Sequence, residues 1–212
     1  HRRIMFDKFY LNARKPEGLG GKLLLSRMNR FGHARLAEWG FDLLAKHAEL
    51  SEMRAVMDIG CGGGANISRL LCNCPNATVF GLDYSTVSVN KSLKHNKKAV
   101  KEGRCVVEQG DVTKLAFDDN KFDLITAFET IYFWKPIEVA FSEIFRTLAK
   151  GGRFFICNDA GGAEWIPGKR SKMLDMTVYD EESLRGLLGK TGFSNVKIYI
   201  ETDGRICAIA EK

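Results

Sequence analysis

The stretch Val56-Met57-Asp58-Ile59-Gly60-Cys61-Gly62-Gly63-Gly64-Ala65-Asn66 constrains the fold more than any other part of the chain. An apolar run carrying one acid ends in a glycine cluster, and a helix-like run follows from Ile67 to Leu71. That pattern is a buried strand, a tight turn and a helix start. Glycines lack Cβ atoms, so they permit positive φ and let a ligand come close to the backbone. The free N–H groups of the first helical turn then favour negative charge. The stretch predicts a nucleotide-type ligand site on an α/β sheet. A purely structural glycine turn uses the same residues, so the acids further along must decide.

From Ala55 onward, strand and helix patterns alternate. Strand candidates are 55–59, 77–82, 104–108, 122–128 and 152–158, with helices at 65–73, 85–101 and 136–149. Repeated strand–helix units imply a parallel sheet with helices on both faces. Residues 110–121 read as a loop with room for one turn. A polar, Gly-containing loop with Trp165 and Pro167 follows residue 158 and leads to a helix that Asp180 caps and that runs to about Lys190. Val196–Ile200 and Ile206–Ala210 alternate as strands around an Asp203-Gly204 turn, which makes a closing antiparallel hairpin and seven strands in all. Residues 1–50 precede the alternation and carry two helical patterns, over 23–31 and 34–45. They are read as a helical cover over one sheet edge or the ligand mouth, part of the same domain as 51–212.

The 212 residues, 45% hydrophobic and 27% charged, suit one domain with a sizeable core. No apolar run approaches the roughly 18–20 residues of a membrane span. Charged residues stand where a secretory apolar region would be, so no signal peptide is expected. The six cysteines lack paired zinc spacing and three sit in strand-like runs, so no metal and a reducing cytoplasmic setting are expected. The net charge of +6 permits an anionic partner without requiring one. Lys91, Lys94, Lys97, Lys98 and Lys101 fit a solvated helix face, and no aromatics interleave them as stacking platforms for nucleic acid would require. The oligomeric state is not legible.

Three acids carry the ligand reading. Asp83 ends the second strand, where a carboxylate can accept two hydrogen bonds from a ribose diol; its alternative use is in starting the following helix. Tyr84 follows and can flank a base ring. Asp111, after the third strand, can accept from an exocyclic amine, with Val112 against an adenine face; Asp after Gly is also a common turn. Asp58 lies inside an apolar strand, where a carboxylate is costly unless paired. A ligand amine or the N–H groups of the glycine loop would each satisfy it.

Val56–Gly64, Val79–Ser85, Gly110-Asp111-Val112 with Phe117–Leu124, and Leu148–Arg153 together resemble the class I S-adenosylmethionine-dependent methyltransferases, and more narrowly their type 11. The resemblance covers 55–158, and the terminal hairpin fits the family's reversed seventh strand. It implies an α/β, Rossmann-like three-layer sandwich and S-adenosyl-L-methionine as cofactor. The methionine part would lie at Asp58, Gly60 and Gly62 with Cys61 between them, the ribose at Asp83 with Tyr84 and Ser85 alongside, and the adenine at Asp111 and Val112. Glu129, ending the fourth strand, would face the sulfonium methyl and the acceptor: binding the ligand, balancing its charge or deprotonating an acceptor. Tyr132, Phe133 and Trp134 would wall an apolar acceptor, with Asn158 and Asp159 as further contacts. Packing under the helix that starts near Pro136 is the competing use of all three, of Phe133 above all. His33, in the N-terminal cover, is either structural or catalytic. Glu129, His33 and Tyr132 form the catalytic candidates.

An NAD-type dinucleotide fold competes, because Gly60-x-Gly62-x-x-Ala65 and Asp83 satisfy its looser pattern. Asp58 counts against it, since a nearby acid repels a pyrophosphate. No Asn/Asp-Pro-Pro-Tyr/Phe run follows the fourth strand; in resembling families that run goes with amino-nitrogen acceptors in nucleic acid or protein. A small-molecule acceptor is therefore expected, with RNA methylation and a non-catalytic cofactor-binding module as rival readings.

Overall fold

The computed structural model describes residues 34–159 and 176–212. A seven-stranded sheet forms its middle layer. The strands are β1 (Ala55–Ile59), β2 (Thr78–Asp83), β3 (Cys105–Gln109), β4 (Phe122–Phe128), β5 (Leu148–Asn158), β6 (Ser194–Ile200) and β7 (Ile206–Glu211). They lie in the order β3-β2-β1-β4-β5-β7-β6, and β7 alone runs against its neighbours. Six α-helices, with short 3-10 turns at Leu50–Glu52 and Ile131–Phe133, complete the described residues: α1 (Ala34–His47), α2 (Ala65–Asn73), α3 (Thr86–His95), α4 (Lys97–Lys101), α5 (Ile137–Thr147) and α6 (Glu181–Thr191).

The two apolar layers follow from strand alternation. One cluster joins Leu36, Phe41 and Leu44 of α1, Ile67 and Leu70 of α2 and Val89 of α3 to Val56, Val79 and Phe155 of the sheet. The other joins Phe141 and Ile144 of α5 and Leu184 and Leu188 of α6 to Met57, Ile125, Phe154 and Ile156. Successive strand residues point to opposite faces, so Phe154 and Phe155 serve different layers. The rings of Phe141 and Phe154 meet edge to face, 5.3 Å apart at 89°. This is the α/β three-layer sandwich with a closing hairpin that the sequence predicts. No helix among the described residues is long and apolar enough to cross a membrane.

Two elements differ from expectation. The 85–101 helix is two helices, divided at Asn96, whose φ of −100° and ψ of 24° depart from the helical values. Its side chain is buried and donates to the carbonyls of Gly64 (3.0 Å) and Ser92 (3.2 Å), while accepting from Ser68 Oγ (2.7 Å). β5 begins at Leu148 instead of 152 and takes in Gly151: the Gly151 N–H donates to the Lys212 carbonyl and the Lys212 N–H to that of Gly152. The expected helical pattern at 23–31 and the loop with Trp165 and Pro167 lie outside the described residues.

Candidate functional site

The sheet order places β1 between β2 and β4, so the chain crosses from one sheet face to the other after β3. At such a switch point the loops diverge and leave a crevice beyond the strand carboxyl ends. The tips of β2, β1 and β4 hold Asp83, the Asp58–Gly64 turn and Glu129 side by side.

The glycine turn is pinned from below. The N–H groups of Gly60 and Cys61 both donate to the Leu82 carbonyl, at 2.7 and 3.1 Å. Gly60, Gly62 and Gly64 take φ of 74°, 53° and 83°, the left-handed region that glycine adopts without a Cβ clash. Gly60 also packs against β4: a Cβ there would stand 2.2 Å from Thr130 Oγ1. Thr130 Oγ1 in turn accepts from Trp134 Nε1 at 3.2 Å.

Asp83 bridges turn and helix. Its Oδ2 accepts from the Gly62 N–H and its Oδ1 from the Ser85 N–H, both at 2.8 Å. Each oxygen retains acceptor capacity for a further donor. Burial raises its pKa, and the two N–H bonds oppose that rise. Ser85 is buried and caps α3, accepting from the Ser88 N–H. Tyr84 beside them is 58% exposed, an open ring at the β2 tip.

Asp58 is almost wholly buried and pairs in register with Thr126 of β4, whose hydroxyl donates to Asp58 Oδ1 at 2.7 Å. Burial, assisted by the nearby charge of Asp83, pushes its pKa up to about 7, with the Thr126 bond pulling the other way. Cys61 is buried, and its thiol is likewise pushed well above the ordinary range.

Glu129 has a φ of 59°, unusual for a residue with a side chain. Its carboxylate accepts from Tyr132 Oη at 3.0 Å and from the Asp159 N–H. Burial lifts its pKa to about 7. Tyr132 is buried, and its carbonyl accepts from the Thr177 N–H at 2.9 Å. The neighbouring Phe133 ring meets Tyr132 edge on, at 6.2 Å.

Asp111 is exposed and its Oδ1 closes a local turn, accepting from the N–H and hydroxyl of Thr113, each at 2.8 Å. Val112 is buried with Leu82 and Leu115. His33 lies outside the described residues.

Three supporting residues escape sequence reasoning. Thr126 and Asn96 hold Asp58 and the glycine turn from distant parts of the chain, and Thr130 closes on Gly60. The available signal was a hydroxyl residue between the apolar Ile125 and Ala127 for Thr126, and an asparagine amid lysines for Asn96.

The donor set suits one kind of molecule. A close backbone cradle and carboxylates at three adjacent strand tips would accept a ligand carrying ammonium or sulfonium charge together with hydroxyls. Comparison with known proteins agrees. The type 11 methyltransferase domain family matches residues 57–156. The chain is 28% identical over 148 residues to 24-methylenesterol C-methyltransferase 2 of Arabidopsis thaliana, covering 69% of this chain and 38% of that protein. It spans about a third of the length of the curated relatives it matches. Among solved structures, phosphoethanolamine N-methyltransferase 2 of Haemonchus contortus, in complex with phosphomonomethylethanolamine and S-adenosylhomocysteine, superposes with a TM-score of 0.73 at 18% identity, covering 82% of this chain and 52% of that one. A putative S-adenosyl-L-methionine-dependent methyltransferase of Methanococcus maripaludis gives 0.71 at 23% identity, covering 91% and 92%. The motif series, the strand order and the family match converge: residues 57–156 of this chain match the type 11 methyltransferase domain, on the fold of the class I S-adenosylmethionine-dependent methyltransferases.

Proposed function

We propose that this protein transfers a methyl group from S-adenosyl-L-methionine to a small-molecule acceptor. The observation that carries the reading is the row of carboxylates Asp83, Asp58 and Glu129 on adjacent strand tips around a glycine turn. Without a cation, ionised groups so covered repel one another and lose their hydration. The ammonium and sulfonium of the donor relieve both costs.

In this reading Asp58 and the Gly60–Gly62 backbone hold the methionine end. Asp83 accepts from the ribose, with Tyr84 beside the base, and Asp111 and Val112 meet the adenine. When bound, the cofactor supplies a methyl group activated by attachment to a positive sulfur. The protein's part is then to align the acceptor behind that methyl and keep water out. Glu129, with a pKa of about 7, exchanges a proton readily near neutrality. Held by the Tyr132 hydroxyl, it would take the proton of an acceptor hydroxyl or amine as the new bond forms.

Support for a small acceptor comes from the relatives, which are named for sterol methylation, and from the neighbour holding phosphomonomethylethanolamine. The test is calorimetric titration of S-adenosylhomocysteine into wild type and Asp83→Ala, followed by methyl transfer across a sterol and amino-alcohol panel. A loss of at least tenfold in affinity for the variant is expected. Equal affinity removes Asp83 from the site.

A further inference from the structure

We infer that Asn158 is a specificity residue for the methyl acceptor, receiving a single neutral hydroxyl on an otherwise apolar molecule. The inference rests on reading the strand tips as the methyl-donor site. Asn158 is the last residue of β5, is completely buried, and neither its amide nitrogen nor its amide oxygen makes a hydrogen bond among the described residues. A buried amide left unsatisfied destabilises a fold, so its presence calls for a partner that the described residues do not provide.

Its position says what that partner is. Phe128 of β4 pairs with Cys157, so the next step along the two strands brings Asn158 level with Glu129. The following N–H, that of Asp159, donates to the Glu129 carboxylate. On its other side Asn158 pairs with Ile206 of β7. Phe154 and Ile156 belong to the apolar cluster that includes Trp134 and Tyr179, and Cys157 to the opposite one. Alternation therefore sets Asn158 on the Trp134 and Tyr179 face.

An amide both donates and accepts, and so does a hydroxyl, which can satisfy both of its orphaned atoms at once. A charged group would be poorly matched to so enclosed a place, because burying it costs far more than burying a hydroxyl. Glu129 next to it is then positioned for the reacting end, and Asn158 for recognition.

The test uses wild type and Asn158→Leu, which keeps the branched heavy-atom skeleton and removes the amide's donor and acceptor. Wild type saturated with S-adenosylhomocysteine is titrated with 2-naphthol and with 4-phenylphenol, each against its deoxy counterpart. A tenfold or greater preference for the hydroxylated partner on at least one scaffold, abolished in Asn158→Leu, is expected. The variant should bind S-adenosylhomocysteine within about twofold of wild type and melt about 2–4 °C higher, as relief of a buried unpaired amide requires. No hydroxyl preference in wild type overturns the inference, and so does a variant that melts lower or fails to fold, since its amide is then structural. A wild type that binds no S-adenosylhomocysteine instead removes the donor-site reading beneath it.

Discussion

Asp58 and Glu129 are acids whose environment holds them near pKa 7, well above the ordinary carboxyl range. A cationic ligand needs them ionised. Below pH 7 such a ligand must displace protons, so S-adenosylmethionine affinity should fall by up to about tenfold per pH unit for each group, and level off above pH 8. Calorimetry from pH 5.5 to 8.5 checks this, and a flat profile contradicts it. Thr126→Val removes the hydrogen bond that lowers the Asp58 pKa. It should move the midpoint of that profile upward and cost about 0.5–2 kcal/mol of stability by urea denaturation. Asp58 was legible in the sequence because an acid in an apolar run is anomalous. Its partner was not, because Thr126 stands 68 positions away and only strand pairing brings it alongside. The positive φ of Glu129 left no trace in composition either, since nothing local marks a non-glycine residue for that region.

Arg146 works at the level of elements, tying the 110–121 loop to α5. Its guanidinium donates to the carbonyls of Leu115 (2.9 Å) and Phe117 (2.8 Å) and to the carboxylates of Asp119 and Glu143, and Glu143 also accepts from the Leu115 N–H. Asp111 and Val112 sit at the start of the same loop. Arg146→Met should cost about 1–3 kcal/mol, measured by urea denaturation, and speed amide exchange at 113–119. α1 docks in a different way: a Cβ on Gly40 would come within 2.9 Å of both Cys157 Sγ and Phe128 Cε1, so the helix backbone lies directly on the sheet. Phe41 stacks on Phe128 beside it, 5.3 Å between centroids. Gly40→Ala should overpack this seam and lower stability by about 1–3 kcal/mol in thermal or urea melts. Periodicity exposed these helices because each buries one stripe. It missed the break at Asn96, whose neighbouring lysines suit a helix while its partners lie under the glycine turn.

The molecule as a whole carries the electrostatic load of its site. Asp58, Asp83 and Glu129 all have folded-state pKa values raised above those of an unfolded chain. The folded state therefore binds protons that the unfolded state does not, between the ordinary carboxyl range and about pH 7. Their contribution is fully present below that range and is lost as pH rises through 7. Without ligand, the melting temperature should decline from pH 5.5 to 8, after allowance for the other groups by comparison with Asp58→Asn. Saturating S-adenosylmethionine should flatten the decline. A parallel sheet with a closing hairpin was readable because strand and helix patterns alternate up to the Asp203-Gly204 turn. The meeting of distant strand tips was readable only through the motif series that reports it. Gly60, seated against the Thr130 hydroxyl that also takes the Trp134 indole hydrogen, joins the two halves of the crevice into one hard piece. A molecule pressing on the tryptophan has a direct mechanical route to the opposite rim. Reciprocity then demands that whatever one occupant gains from the other's arrival, it returns in full.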